Sequence, residues 1–201
     1  MKEGVRYLIS HKDAKFVVGI FFIFMSCIGS LYVVTVVFVQ EATKSMTATL
    51  GIFAPFLFVG FALGSYIYGK IGHRFSRNKT IFLSFISSGI FVILFAVSLK
   101  LWGLLPAAFA SLFILGAAVA PVATSGNTII HETIDEKMRG RVFSSIGIIM
   151  NVGFMLFMFA GSILAEHIGR LLVIVNCGII LIAIGCLGYI LNRRERFIRV
   201  S

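Results

Sequence analysis

Apolar residues in this chain run together in long blocks separated by short polar gaps. A membrane-crossing helix needs roughly 20 such residues. Six blocks meet that length: Phe16 to Val39, Thr47 to Tyr68, Thr80 to Ser98, Leu104 to Ile130, Val142 to Ala165 and Leu171 to Leu191. The short gaps predict antiparallel neighbours. No block shows the strand alternation and turn punctuation of an outer-membrane barrel. The pattern predicts an all-α, polytopic membrane protein with six transmembrane helices over residues 16–191, an N-terminal segment over 1–15 and a basic tail over 192–201. In the N-terminal segment, Val5, Leu8 and Ile9 form a short apolar stripe beside Arg6, Lys12 and Lys15. That stripe fits an interfacial amphipathic helix, and equally a partly ordered tail. The first apolar block outlasts the roughly 7–15 residues of a cleaved signal peptide's core.

Composition supports lipid as the solvent. Of 201 residues, 59% are hydrophobic and 13% charged, with a mean hydropathy of +1.02, whereas soluble domains are about 25% charged. The net charge of +10 does not predict a nucleic-acid partner, because the basic residues sit in the gaps and form no continuous stripe. Their distribution predicts orientation instead. Alternate gaps are rich in Lys and Arg: four in the N-terminal segment, then Lys70, Arg74, Arg77 and Lys79, then Lys137, Arg139 and Arg141, then four in the C-terminal tail. The intervening gaps hold only Lys44, Lys100 and Arg170. Fifteen against three puts the rich side, with both termini, in the cytoplasm. Trp102 is expected on the poor side, at the start of the fourth helix.

Candidate chemistry within the membrane is neutral. None of the eight acids falls in mid-span, where an ionised group costs about 2.5–3.5 kcal/mol and usually marks function. The nearest candidate for a proton-relay carboxylate is Glu132, at the end of the fourth helix. Mid-span polarity comes from Ser26, Ser30 and Thr35 on the first helix, Thr124, Ser125, Asn127 and Thr128 on the fourth, Asn151 on the fifth and Asn176 on the sixth. These either line a polar cavity or form interhelical hydrogen bonds, often worth only about 0.6 kcal/mol each. Gly60 and Gly64 form a GxxxG pair, and Pro121 follows the small-residue patch Gly116-Ala117-Ala118; close helix crossings or a bend are expected at both. The phenylalanines of the second and fifth helices, among them Phe53, Phe58 and Phe159, either line a greasy pocket or face lipid and core. The sequence presents no metal spacing, nucleophile–base motif or phosphate loop, so no cofactor, no metal and no enzyme activity are expected.

Two gaps carry a resemblance. Gly69-Lys70-Ile71-Gly72-His73-Arg74-Phe75-Ser76-Arg77-Asn78-Lys79 resembles the signature loop of major facilitator transporters, G-x-x-x-D-[RK]-x-G-[RK]-x-[RK], with His73 in the place of the acid and Ser76 in that of a glycine. The stretch from Asn127 to Ser144 resembles N-T-x-x-Q-x-x-x-P-x-x-x-R-G-R-V-x-S of the branch that includes macrolide-efflux proteins and the enterobactin exporter. Asn127, Thr128, Arg139, Gly140, Arg141, Val142 and Ser144 match, while His131 and Asp135 depart. Glu3-Gly4-Val5-Arg6-Tyr7-Leu8 is similar to the segment before the seventh helix in that branch.

The resemblance implies the C-terminal half of a twelve-helix fold, itself a 3+3 pseudo-repeat, although no internal sequence repeat is visible by eye. It implies a substrate cavity touched by Ser26, Ser30, Thr124, Asn127 and Asn151, with Asn176 on a peripheral helix. It also implies a gating loop that uses Gly69, His73, Arg74, Arg77, Arg139, Gly140 and Arg141. The function so implied is secondary, antiporter-type efflux of small amphipathic molecules by alternating access in a bacterial cytoplasmic (inner) membrane. The partners are the lipid bilayer, a small-molecule substrate and a second six-helix half, either a separate chain or a second copy. The alternative is a membrane assembly or binding protein that transports nothing, or an inactive fragment.

Overall fold

The computed structural model describes residues 12–43, 48–72, 76–102, 105–133 and 136–198. These residues form six long helices: α1 Lys12–Thr43, α2 Ala48–Ile71, α3 Arg77–Val97, α4 Leu105–Thr133, α5 Glu136–Ile168 and α6 Arg170–Ile198. Each contains a span long and apolar enough to cross a bilayer. The helices outrun their apolar blocks because backbone hydrogen bonding continues into the interface, where charged side chains are hydrated. The N-terminal segment through residue 11, together with His73, Arg74 and residues 199–201, lies outside the described residues.

Trp102 corrects one expectation. It does not open the fourth helix but closes the third, which continues from Ser98 to Trp102 as a π-helical turn. Ser98 Oγ donates to the Leu94 carbonyl at 2.6 Å where that turn begins. The next helix starts at Leu105 with Pro106 in its first turn, where a missing N–H costs nothing. Pro55 and Pro121 lie inside α2 and α4.

Helix packing follows a rule that the sequence hides. The principal pairings are α1 with α5, α2 with α4, α3 with α6, α3 with α4, α1 with α6, and α1 with α4. Exchanging α1 for α4, α2 for α5 and α3 for α6 maps this set onto itself. The bundle is therefore two three-helix repeats, each packed into the other.

Small residues make these crossings close. A Cβ on Gly60 or Gly116 would strike the backbone of Phe113 or Leu57, and one on Gly64 would lie 2.6 Å from the Ala117 Cα, so α2 and α4 touch main chain to main chain. The equivalent crossing of α1 and α5 has Gly29 against the Phe154 backbone and Gly161 against Ser30. At the α3–α6 crossing, a Cβ on Gly89 would sit 2.5 Å from the Gly178 carbonyl oxygen, and one on Gly178 would sit 2.9 Å from that of Gly89. Lipid tails are as apolar as leucine, so close packing rather than apolar burial drives helices together.

The buried core lies where α1, α3, α4 and α6 meet, around Ile20, Phe24, Ile81, Phe85, Val122 and Leu181. A second cluster joins Phe53, Phe95 and Leu112 with Val173 and Ile174. The most open helices are α2 and α5. Phe58 on α2 and Phe159 on α5 are 69% and 65% exposed. Of the phenylalanines singled out in the sequence, Phe53 fills core, in edge contact with Phe95 and tilted against Phe109.

Candidate functional site

The polar residues expected to share a cavity fall into three environments. Ser26 and Ser30 are buried on α1, facing Gly153 and Gly161 of α5. Ser30 Oγ accepts the Cys177 thiol of α6 at 3.6 Å. Thr124 and Thr128 are half-buried, and each hydroxyl donates to the carbonyl four residues back, at 3.0 Å to Ala120 and 2.8 Å to Thr124. Such back-bonding satisfies a hydroxyl within its own helix. Asn127 and Asn151 are exposed on α4 and α5. The structure thus places the two serines in a helix seam and leaves the two amides on open faces.

The two loops that carry the resemblance meet at one end of the bundle. Arg77 opens α3, following Ser76, whose backbone is extended. Its guanidinium reaches across to Glu132 in the last turn of α4. Nη2 donates to Oε1 at 2.8 Å and Nη1 to Oε2, a bidentate pair. Arg77 holds the Glu132 carboxyl below its ordinary value, first through the hydrogen bond and then through charge. Glu132, the nearest proton-relay candidate in the sequence, is thus engaged by a motif arginine.

Beneath this pair, Ser125 Oγ donates to the Tyr68 hydroxyl at 2.7 Å, linking α4 to α2. The same tyrosine ring packs on Gly72. Across the next loop, the His131 ring lies 5.1 Å from that of Phe143. Of the remaining motif residues, Gly69 and Gly140 are exposed, and a Cβ on either would meet nothing within 4 Å. Gly140 accepts the Ser144 hydroxyl at 2.9 Å, and the exposed Arg141 accepts that of Ser145 at 2.9 Å through its carbonyl. Arg139 lies on α5, and its side chain is outside the described residues.

The opposite end holds a second ion pair that sequence reasoning did not single out. Arg170 opens α6 and pairs with Glu41 in the last turn of α1. Gly169, at φ 89°, makes the sharp turn between α5 and α6, and its N–H donates to the Ala165 carbonyl at 3.1 Å. Beside the pair lies a cavity of about 550 Å³ lined by Phe38, Glu41, Lys100, Glu166, Arg170 and Leu171 among others. The signal was present in the charge tally: Arg170 is one of only three cations on the poor side, and Glu41 and Glu166 share that side. Among the described residues no group of three or more His, Cys, Asp or Glu could hold a metal ion.

No curated protein and no solved structure gives a significant match to the chain. The family model described as Major Facilitator Superfamily matches residues 16–199, nearly the whole chain. That match covers the bundle, both motif loops and both ion pairs, and its members are transporters rather than enzymes. This chain, an all-α membrane module of two interlocked three-helix repeats, belongs to the Major Facilitator Superfamily.

Proposed function

We propose that the chain is one half of a secondary transporter that exports small amphipathic molecules by alternating access. The observation that carries this reading is the family match across 16–199 on a bundle with 3+3 pairing. The 127–144 stretch, with its similarity to the macrolide-efflux and enterobactin-exporter branch, supports efflux of greasy molecules in an antiporter. Transport needs a second six-helix half facing this one across the substrate. Alternating access then consists of two packings whose balance the bound substrate shifts. The charge asymmetry supports both termini in the cytoplasm, and the branch resemblance supports a bacterial inner membrane.

The cavity reading centres on Asn127 and Asn151, which present amides on open faces, with Thr124 three residues before Asn127 on α4. Ser26 and Ser30 support that surface from the α1–α5 seam. In a transport assay with the partner half present, Asn151→Leu and Asn127→Leu should abolish substrate movement while insertion and fold persist. Thr124→Val should weaken it. If all three variants transport normally, the cavity assignment is wrong. A non-transporting assembly protein would tolerate all of them, and the burial of both serines is the observation on its side.

A further inference from the structure

The two ion pairs are related by the same exchange that relates the two repeats. Arg77 is the first residue of α3, and Arg170 is the first of α6. Glu132 lies in the last turn of α4, and Glu41 in the last turn of α1. Swapping α3 for α6 and α4 for α1 carries one pair onto the other and moves it to the opposite end of the bundle. Each pair joins a helix of one repeat to a helix of the other. Helix energetics do not explain the placement. A cation at a helix N-terminus and an anion at a C-terminus both oppose the macrodipole, so each charge is tolerable there because of its partner.

The Arg170 end carries something more. The cavity beside it is also lined by Glu166 and Lys100. Glu166 lies in the last turn of α5, four residues before Arg170 across the Gly169 turn. It belongs to the same repeat as Arg170, whereas Glu41 belongs to the other. Lys100 sits in the π-helical turn that ends α3, a local geometry that recurs at functional sites.

We propose that Arg170 is a partner-exchange latch. Bound to Glu41, it ties α6 to α1 and holds the two repeats together at this end. Passed to Glu166, it remains within the α5–α6 hairpin and frees the end of α1. Lys100, on the wall of the same cavity, is then the cation available to the released Glu41. The cavity gives the guanidinium room to swing. The side chains of Arg170 and Glu41 are 38% and 56% exposed, so the pair is weak and reversible. The latch rests on the transporter reading for its purpose, control of access at one end, but it is a property of the chain without substrate.

Hydrogen exchange of the full chain in lipid nanodiscs, read over residues 36–43, tests it. Glu41→Gln and Arg170→Ala should each raise exchange there by a few-fold, up to roughly five-fold, and leave the Arg77–Glu132 end unchanged. Glu166→Gln should lower exchange, because it removes only the partner of the released state. The reversed pair, Glu41→Arg with Arg170→Glu, should restore protection to the wild-type level or beyond. A rise with Glu166→Gln, or no response to either carboxylate, overturns the latch. If Glu41→Gln loosens all six helices at once, the fold is lost in that variant, and Glu166→Gln and the reversed pair decide. The opposed responses in a chain that moves no substrate would leave the latch standing and remove the transport reading.

Discussion

Arg77 and Glu132 stand 55 positions apart in the chain, and each was picked out in the sequence for a different reason. Arg77 matched a signature loop, and Glu132 was the acid nearest the membrane. Only the fold showed that one answers the other. The consequence is a pH dependence with a definite sign. Arg77 depresses the folded-state pKa of Glu132, so the tie is at full strength above the ordinary carboxylate value and is lost as pH falls through the folded one. Hydrogen exchange over residues 77–80, corrected for intrinsic rates, should be flat from pH 7 down to the ordinary carboxylate range and rise below it. In Glu132→Gln it should be raised already at pH 7 and stay flat. A wild-type profile that matches the variant at every pH would show that the pair does not hold α3 to α4.

At the scale of elements, the six helices follow directly from the apolar blocks, because a block of that length has no other way to satisfy its backbone in lipid. The GxxxG pair and the small-residue patch were also legible, and they turned out to be two sides of one crossing: Gly60 and Gly64 on α2 against Phe113 and Ala117, with Gly116 on α4 against Leu57. The α3–α6 crossing was not legible, since Gly89 is the one glycine of its block, Gly178, Gly185 and Gly188 of the sixth block form no GxxxG pair, and nothing local marks them as partners. Gly178→Leu should force that crossing apart at a cost of about 1–3 kcal/mol, the usual penalty of overpacking. Gly147, with open space around its Cα, is the control: Gly147→Ala should be neutral or stabilise by up to about 1 kcal/mol. Reversible unfolding in bicelles measures both, and equal effects would mean that the close α3–α6 contact carries no stability.

For the whole molecule, the decisive features are the 3+3 exchange and the openness of α2 and α5. Phe58, Tyr66, Leu156 and Phe159 on these helices are exposed. Lipid can cover such faces, and so can the second half that the transport reading requires. Native mass measurement of the purified chain in nanodiscs distinguishes these occupants. The transport reading expects a complex of two six-helix units, either two copies or one copy with a co-purifying chain. A monomer at every protein concentration, with no co-purifying chain, would contradict that reading while leaving the fold assignment untouched.

What the sequence determined by itself was the solvent, the number of spans and the identity of the loops that carry the family resemblance. These depend on local composition: apolar length sets a membrane helix, and a run of motif residues is read without knowing what it touches. The tertiary structure decided everything that depends on which helix lies beside which. It moved Trp102 from the fourth helix to the end of the third. It separated Ser26 and Ser30, sealed in a seam, from Asn127 and Asn151 on open faces. It also paired Arg170 with Glu41 across 129 positions. In a chain whose helices are apolar on nearly every side, the hydrophobic pattern assigns no neighbour to any face. Neighbours are chosen by close fits between small residues and by a few charges at helix ends, and those fits exist only once the two repeats have come together.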